Sequence, residues 1–373
     1  MIKRIFACFA AAITAAGLSI VFTAPCRAEA YAVSRGEAVV EVTSGRLLYE
    51  ENGDRELPPA STTKILTALI IAEDCDLDVV VEVPKEAAGT EGSSVYLAAG
   101  EKITVLDLLY GLMLRSGNDC AVTLSLHHSG SVAAFAECMN ERAAKLGAEH
   151  SHFANPHGLP AEEHYTTAND LARIAAAALQ NDVFSEIVGT EKHTVPDGGC
   201  GYARTWQNKN KMLYHYEGAD GVKTGYTKEA GRCLVTSATR GGMRIVSAVL
   251  NSPNMYERSG ELLDSCFAKY SMKRVYSAGC SVYELPTDVP GKICRCRCTD
   301  DFCYPLADGE ERELETAVIL PEMKRLPVHR GEIVGSVEIR LQKQLIFSQK
   351  IVSIVDMEKS YFDILREIAR THN

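Results

Sequence analysis

Leu57-Pro58-Pro59-Ala60-Ser61-Thr62-Thr63-Lys64 runs directly into Ile65-Leu66-Thr67-Ala68-Leu69-Ile70-Ile71-Ala72. The two prolines suit the approach to a helix rather than its interior. The run that follows is apolar on nearly every side, which marks a helix passing through a core. Residues three apart share a helix face, so the Ser61 hydroxyl falls within reach of the Lys64 amine. A buried lysine beside a serine is the raw material of an activated nucleophile. The competing reading makes Ser61 an N-cap and Lys64 a surface residue of the first turn. Ser61 is, however, the only serine in the chain with a lysine three places on.

The 373-residue chain has a globular composition, 46% apolar and 24% charged, with length for about two to three domains. Residues 1–30 read as a leader outside the fold: Lys3-Arg4, an apolar stretch from Ile5 to Phe22, then Ala28-Glu29-Ala30 as a cleavage site. A retained membrane anchor is the alternative. Pro25 before Cys26 does not make a lipobox, so a lipoprotein is not expected. The protein is expected to be exported and to act in the extracytoplasmic envelope, secreted or held at the outer face of the cytoplasmic membrane. The formal charge is −10, and it becomes more negative once Lys3, Arg4, Arg27 and Glu29 leave with the leader. Such a chain is a poor partner for nucleic acid, or for anionic lipid bound through charge alone.

Of 13 cysteines, Cys8 and Cys26 belong to the leader, which leaves an odd number that cannot all pair within one chain. Cys294, Cys296 and Cys298 alternate with Arg295 and Arg297, so on a strand their sulfurs share one face. They lack the paired C-x-x-C spacing of a zinc site and are expected as small buried residues. His150, His152, His157 and His164 are expected to pack loops rather than to bind zinc. No metal or cofactor is expected.

Along the chain, Ala38–Thr43 and Arg46–Glu50, joined at Ser44-Gly45, read as a β-hairpin. A helix is predicted from Thr104 to about Arg115, with Thr104 and Asp107 placed as a capping box. It breaks at Ser116-Gly117-Asn118, and a further helix starts near Asp119, so Ser116 and Asn118 project from a tight turn. Helices follow over Val132–Leu146 and from Thr167 to about Gln180. After Thr205 strands take over: Gly221–Tyr226, Cys233–Ala238 and Met243–Leu250, an antiparallel sheet closed by a helix over Glu261–Tyr270. Short strands with Pro/Gly turns then run from about Val275 to Val352. The tail, Met357–Arg370, places Met357, Tyr361, Ile364, Leu365 and Ile368 on one helical face, suited either to a membrane surface or to packing on its own domain.

Three short motifs thus occur in order: Ser61-x-x-Lys64, Ser116-x-Asn118 and Lys223-Thr224-Gly225. Each alone is weak, and a second S-x-N occurs at Ser252-Pro253-Asn254. Together, at a helix start, an interhelical turn and a strand, they make the chain resemble the low-molecular-mass penicillin-binding proteins, the serine D-alanyl-D-alanine carboxypeptidases. Arg115-Ser116-Gly117-Asn118-Asp119, Asn155-Pro156-His157-Gly158-Leu159 and Asp220–Thr227 also look like landmarks of that family. The resemblance implies an α+β, penicillin-binding serine-transpeptidase-like fold, an antiparallel sheet flanked by helices with an all-helical subdomain, followed by a small all-β domain. The division expected is a leader over 1–30, a catalytic domain over 31–272, a β-rich domain over 273–355 and an amphipathic tail over 356–373.

The resemblance also implies roles. Ser61 is the nucleophile and Lys64 its base, Ser116 relays a proton to the leaving amine, and Asn118 binds the substrate backbone. Lys223 and Thr224 meet the terminal carboxylate, Gly225 lets the peptide lie along the strand, and the N–H groups of Ser61 and Tyr226 form the oxyanion hole. An ordinary lysine is protonated at neutral pH, so Lys64 serves as base only if burial and a neighbouring cation, here Lys223, disfavour its charge. The family uses a further arginine for the carboxylate, for which Arg258 is the nearest candidate. The expected substrates are peptidoglycan stem peptides and the expected inhibitors β-lactams. A β-lactamase or D,D-endopeptidase on the same fold, or a non-catalytic wall-binding module, are the alternatives; a binding module has no need of Lys64.

Overall fold

The computed structural model describes residues 35–197, 201–278 and 281–371. The expected leader lies outside the described residues. Gly36–Glu41 (β1) and Leu47–Glu51 (β2) form the expected hairpin, with Gly45 in the left-handed region at φ 69°. The chain then enters the apolar run through a single 3₁₀ turn, Ala60–Thr63, and the α-helix itself starts at Lys64 (α1, Lys64–Asp74). Ser61 therefore sits one turn ahead of the helix and caps nothing, while every residue from Lys64 to Ile71 is buried. Thr104 opens α2 (Val105–Arg115) as the capping box predicts, its hydroxyl accepting the Asp107 N–H at 3.0 Å. After the turn at Ser116-Gly117 come α3 (Asn118–Ser129), α4 (Val132–Lys145), α5 (Ala168–Leu179) and α6 (Asp182–Gly189).

Ala219–Thr227 (β3), Gly231–Arg240 (β4) and Met243–Leu250 (β5) complete an antiparallel sheet in the order β2-β1-β5-β4-β3. Both faces of the sheet are buried, and the period of two along each strand sorts its residues between two cores. Ala38, Val40, Val235, Val246 and Ala248 face α1, α2 and α5; Val39, Leu234, Ile245 and Val249 face the next helix, α7 (Met255–Lys269). That helix starts earlier than its pattern suggests because Met255 already joins Leu262, Leu263 and Cys266 on the buried face. The strand β3 is an edge, and the 3₁₀ turn that carries Ser61 packs against it. Two short antiparallel strand pairs, Val80–Glu82 with Lys102–Thr104 and Lys192–Val195 with Arg204–Gln207, are too brief to leave a periodic signal.

Beyond α7 the chain is β-rich: β6 (Tyr270–Tyr276), β7 (Val282–Pro286), β8 (Ile293–Cys298), β9 (Phe302–Ala307), β10 (Leu314–Ile319), β11 (Ile333–Leu341) and β12 (Gln344–Ser353). They form a pair, β6-β9, and a five-stranded sheet, β7-β8-β12-β11-β10. Cys294, Cys296 and Cys298 point into this sheet's core with Leu285, Val337, Ile339 and Ile351, while the alternating arginines face out. The nine described cysteines are all free thiols.

The tail helix α8 spans Tyr361–Thr371 and starts later than the pattern predicts. Met357 is instead bridged to Val328 and packs on the β core. The polar side of α8 is tied inward, Asp363 to Lys292 at 2.8 Å and Glu367 to Lys359 at 2.6 Å, while Tyr361, Phe362, Ile364, Leu365 and Ile368 are exposed. Among the described residues no helix is long and apolar enough to cross a membrane.

Arg46, at the end of the first hairpin turn, joins the helical and β-rich parts. It donates to Glu310 at 2.7 and 2.9 Å and to the Pro305 carbonyl, and it lies over the rings of Tyr270 and Tyr304. Arg46→Ala is expected to cost about 1.5–3 kcal/mol, the worth of hydrogen bonds to a charged group. Thermal unfolding should then split towards two steps, with faster proteolysis near residue 270; a single unshifted transition would show that the joint carries no strength.

Candidate active site

Lys64 is fully buried at the first position of α1, where its amine donates to Ser61 Oγ at 3.2 Å, Asn118 Oδ1 at 2.7 Å and the His157 carbonyl at 2.5 Å. These three acceptors are neutral, and no carboxylate pairs with the amine. Burial disfavours its charge, and the nearby Lys223 adds repulsion, so its pKa lies well below the ordinary lysine value. Lys223, buried in β3, is itself pushed down to about 7, first by burial and then by Lys209; its amine donates to the Thr224 carbonyl at 3.0 Å.

Ser116 closes α2 with φ 66°, a left-handed conformation that is strained for a residue with a side chain. Its hydroxyl is buried and has no hydrogen-bond partner. Strain and an unsatisfied group both carry a cost, and at a functional site they leave a hydroxyl free for a proton or a ligand. Asn118 is the first residue of α3 rather than a loop residue. It is held on both sides: Oδ1 accepts from Lys64, and Nδ2 donates to the Glu91 carbonyl at 2.6 Å.

Asp119, which closes the Arg115–Asp119 landmark but was given no role from sequence, fastens the segment above it. Its carboxylate accepts from Ser94 Oγ at 2.6 Å and from the N–H groups of Val95, Leu97 and Cys120. Lys209 was missed as well; it depresses both buried lysines, and it lies between Asn208 and Asn210, whose side-chain amides bond the carbonyls of Thr190 and Gly221 at 3.1 and 2.9 Å. Neither role carried a signal, because the partners that give an Asp or Lys its role lie far along the chain.

The edge strand meets the nucleophile at Gly225. A Cβ there would stand 3.1 Å from both the Pro59 carbonyl oxygen and the Ser61 nitrogen, so glycine keeps the strand close to the Ser61 N–H. Thr224 is half-buried and Tyr226 exposed. Beneath the turn, Gly158 at φ 87° leaves room for the Ala60 carbonyl oxygen, which would lie 1.8 Å from an added Cβ. Asn155 holds this loop by accepting from the Gly158 N–H at 2.7 Å.

His164 completes the support. Its Nδ1 accepts the Ala154 N–H at 3.0 Å, so in the neutral ring Nε2 carries the proton and donates to Thr63 Oγ1 at 3.0 Å, which donates on to the Ala60 carbonyl at 2.9 Å. Burial lowers His164 to about 4 and His157 to about 3, the latter also repelled by Lys64. His150 bonds Asp170 through its N–H, and His152 Nδ1 lies 2.5 Å from the Glu163 carbonyl oxygen.

The family profile for D-alanyl-D-alanine carboxypeptidase matches residues 25–254, and that for the C-terminal domain of penicillin-binding protein 5 matches 270–359. The chain is 29% identical over 340 residues to the D-alanyl-D-alanine carboxypeptidase DacF of Bacillus subtilis, covering 88% of this chain and 87% of that one. It is 36% identical over 239 residues to DacB2 of Mycobacterium tuberculosis, covering 62% of this chain and 81% of that one. Among solved structures, penicillin-binding protein 5 from Haemophilus influenzae superimposes with a TM-score of 0.71 at 26% identity, over 87% of this chain and 97% of that one. The Streptomyces K15 DD-transpeptidase gives 0.60 at 34% identity, over 62% and 96%.

Arg258 does not belong to this constellation. It sits on α7, where its guanidinium grips the fully buried Glu37 of β1 at 2.8–3.0 Å and also bonds Glu261 and the Tyr49 hydroxyl. Its charge is consumed in neutralising a buried carboxylate. Arg258→Ala should therefore lower stability by about 3–5 kcal/mol, the cost of stranding a buried charge, with the NMR titrations of Lys64 and Lys223 unchanged. Full stability with altered titration of those lysines would return Arg258 to the site.

Proposed function

This chain belongs to the D-alanyl-D-alanine carboxypeptidase family, and from that premise we propose that it is exported and removes the terminal D-alanine of peptidoglycan pentapeptides through an acyl-enzyme on Ser61. The observation that carries the reading is a buried lysine with no counter-charge, hydrogen-bonded at once to Ser61 and Asn118 and facing a second buried lysine. A neutral Lys64 accepts the Ser61 proton as Oγ attacks the penultimate carbonyl carbon. The N–H groups of Ser61 and Tyr226 receive the developing oxyanion. Ser116 passes the proton to the leaving D-alanine amine, and water then hydrolyses the ester. Protonated Lys223 and Thr224 hold the terminal carboxylate, while Asn118 and the open edge of β3 pair with the peptide backbone, a strand added at Gly225. A β-lactam, with a carboxylate and a reactive amide in similar relation, enters the same path and stalls at the ester.

In this reading, residues 31–272 are the catalytic part, 273–355 a β-rich part and 356–373 a tail. The exposed apolar side of α8, with Asp363 and Glu367 held by Lys292 and Lys359, suits peripheral contact with the outer face of the cytoplasmic membrane.

The test is acylation by a labelled penicillin, with release of D-alanine from a D-alanyl-D-alanine peptide. Long-lived label and release should both vanish in Ser61→Ala, and Lys64→Ala should slow acylation by about 10²–10⁴-fold, the usual share of a general base. Rapid turnover of the penicillin would mark a β-lactamase instead, and neither label nor release would sink the enzymatic reading. The acylation rate should fall on the acid side, as Lys64 gains the proton that disables it, and on the alkaline side above about 7, as Lys223 loses the proton that holds the carboxylate. A profile without an acid limb in the Lys64 protein would remove Lys64 as base. For the tail, liposome co-sedimentation should be lost on deleting 361–373; retention would assign membrane contact elsewhere.

A further inference from the structure

Far from the site just described, three helices bring together a donor set that the mechanism does not use. Asp74 is the last residue of α1, His128 lies in the last turn of α3, and Cys138 is in the middle of α4. One ligand atom from each lies within 4.8 Å of the other two, the only such His/Cys/acid group among the described residues. The Asp74 carboxylate and His128 Nε2 are already 3.2 Å apart. Tetrahedral zinc, with bonds of about 2.0–2.3 Å, needs ligand atoms roughly 3.3–3.8 Å apart, so a small rotation of the Cys138 side chain closes the set.

Two further features prepare the place. The His128 ring is oriented from behind, Nδ1 bonded to Ser129 Oγ at 2.7 Å and one face braced edge-on by the buried Phe135. That arrangement aims Nε2 at the cluster, as the outer partner of a metal-bound histidine does. Both α1 and α3 end here, and helix C-termini present partial negative charge that favours a cation.

We infer that Asp74, His128 and Cys138 form a binding site for a zinc-class divalent ion, with water in the fourth position. A sulfur, an imidazole nitrogen and one carboxylate suit a borderline ion such as Zn²⁺, whereas Ca²⁺ and Mg²⁺ demand oxygen alone. Asp74 is half exposed, which leaves an entry path and room for the water. Binding converts the Cys138 thiol to a thiolate and releases its proton to solvent. The ion is structural: it clamps the far ends of the two helices whose near ends carry Lys64 and Asn118, and it ties both to α4.

Co²⁺ titration of the purified chain tests this directly. One equivalent should produce a thiolate-to-metal charge-transfer band that Zn²⁺ displaces. Cys138→Ser should abolish the band, and His128→Gln should weaken binding by more than the ~10–100-fold that losing even an outer-shell partner costs. Cys75→Ser, next to the trio but outside it, should leave the band intact. Zn²⁺ should also raise the thermal midpoint of the parent chain and not that of Cys138→Ser. If Cys138→Ser does not fold, alkylation of the parent decides the matter, since bound Zn²⁺ should protect Cys138 from modification. Absence of a band, a band that survives Cys138→Ser, or unprotected Cys138 in excess Zn²⁺ each overturns the inference.

Discussion

The amine of Lys64 is taken wholly out of water and given only neutral acceptors: one hydroxyl, one side-chain amide and one backbone carbonyl. An ammonium in that place lacks both solvation and a counter-charge, so the proton leaves it far more readily than it leaves a surface lysine. The surroundings follow from keeping this amine buried, bonded and within reach of Ser61. The apolar length of α1 anchors it, the Asn155–Leu159 loop supplies a carbonyl, and the start of α3 supplies Asn118.

Elsewhere the molecule treats buried charge in the opposite way. Glu37 is gripped by Arg258, Glu101 by Arg204, and Glu41 and Asp119 by rings of N–H and O–H donors. Each of those carboxylates meets cationic or hydrogen-bond donors inside the protein. Among the described residues, Lys64 and Lys223 alone of the large fully buried side chains are ionisable groups left without a carboxylate. That contrast separates chemistry from scaffolding more sharply than burial does, since the desolvation is common to both and only the pairing differs.

The turn bearing Ser61 shows where the cost of such a site is met. Ala60 and Ser116 both hold positive φ, Gly158 and Gly225 approach backbone so closely that a methyl group would collide or crowd, and the Ser116 hydroxyl is unsatisfied. These are local penalties, and they persist because the relay from Ala154 through His164 and Thr63 to the Ala60 carbonyl braces the turn from beneath. The same relay requires a neutral His164, which its burial provides.

Much of this was legible in the amino-acid order. The all-round apolar run after Ser61, the Thr104 capping box and the alternation in Cys294-Arg295-Cys296 depend on neighbours within a few residues, so periodicity and local hydrogen bonding specify them. The three motifs likewise named Ser61, Lys64, Ser116, Asn118 and Lys223, because each is carried by its own short context. What the sequence could not decide were relations between distant residues of ordinary type: that Arg258 meets Glu37 instead of the site, that Lys209 adds its field to Lys223, that Asp119 fastens residues 94–97, and that Met357 leaves the tail for the β core. Electrostatic and packing partners are set by distance in three dimensions, which no spacing along the chain encodes. Sequence determined which groups could react; only the tertiary structure decided which of them lost their water and their counter-charge, and it is that loss which holds the Lys64 pKa well below the ordinary lysine value.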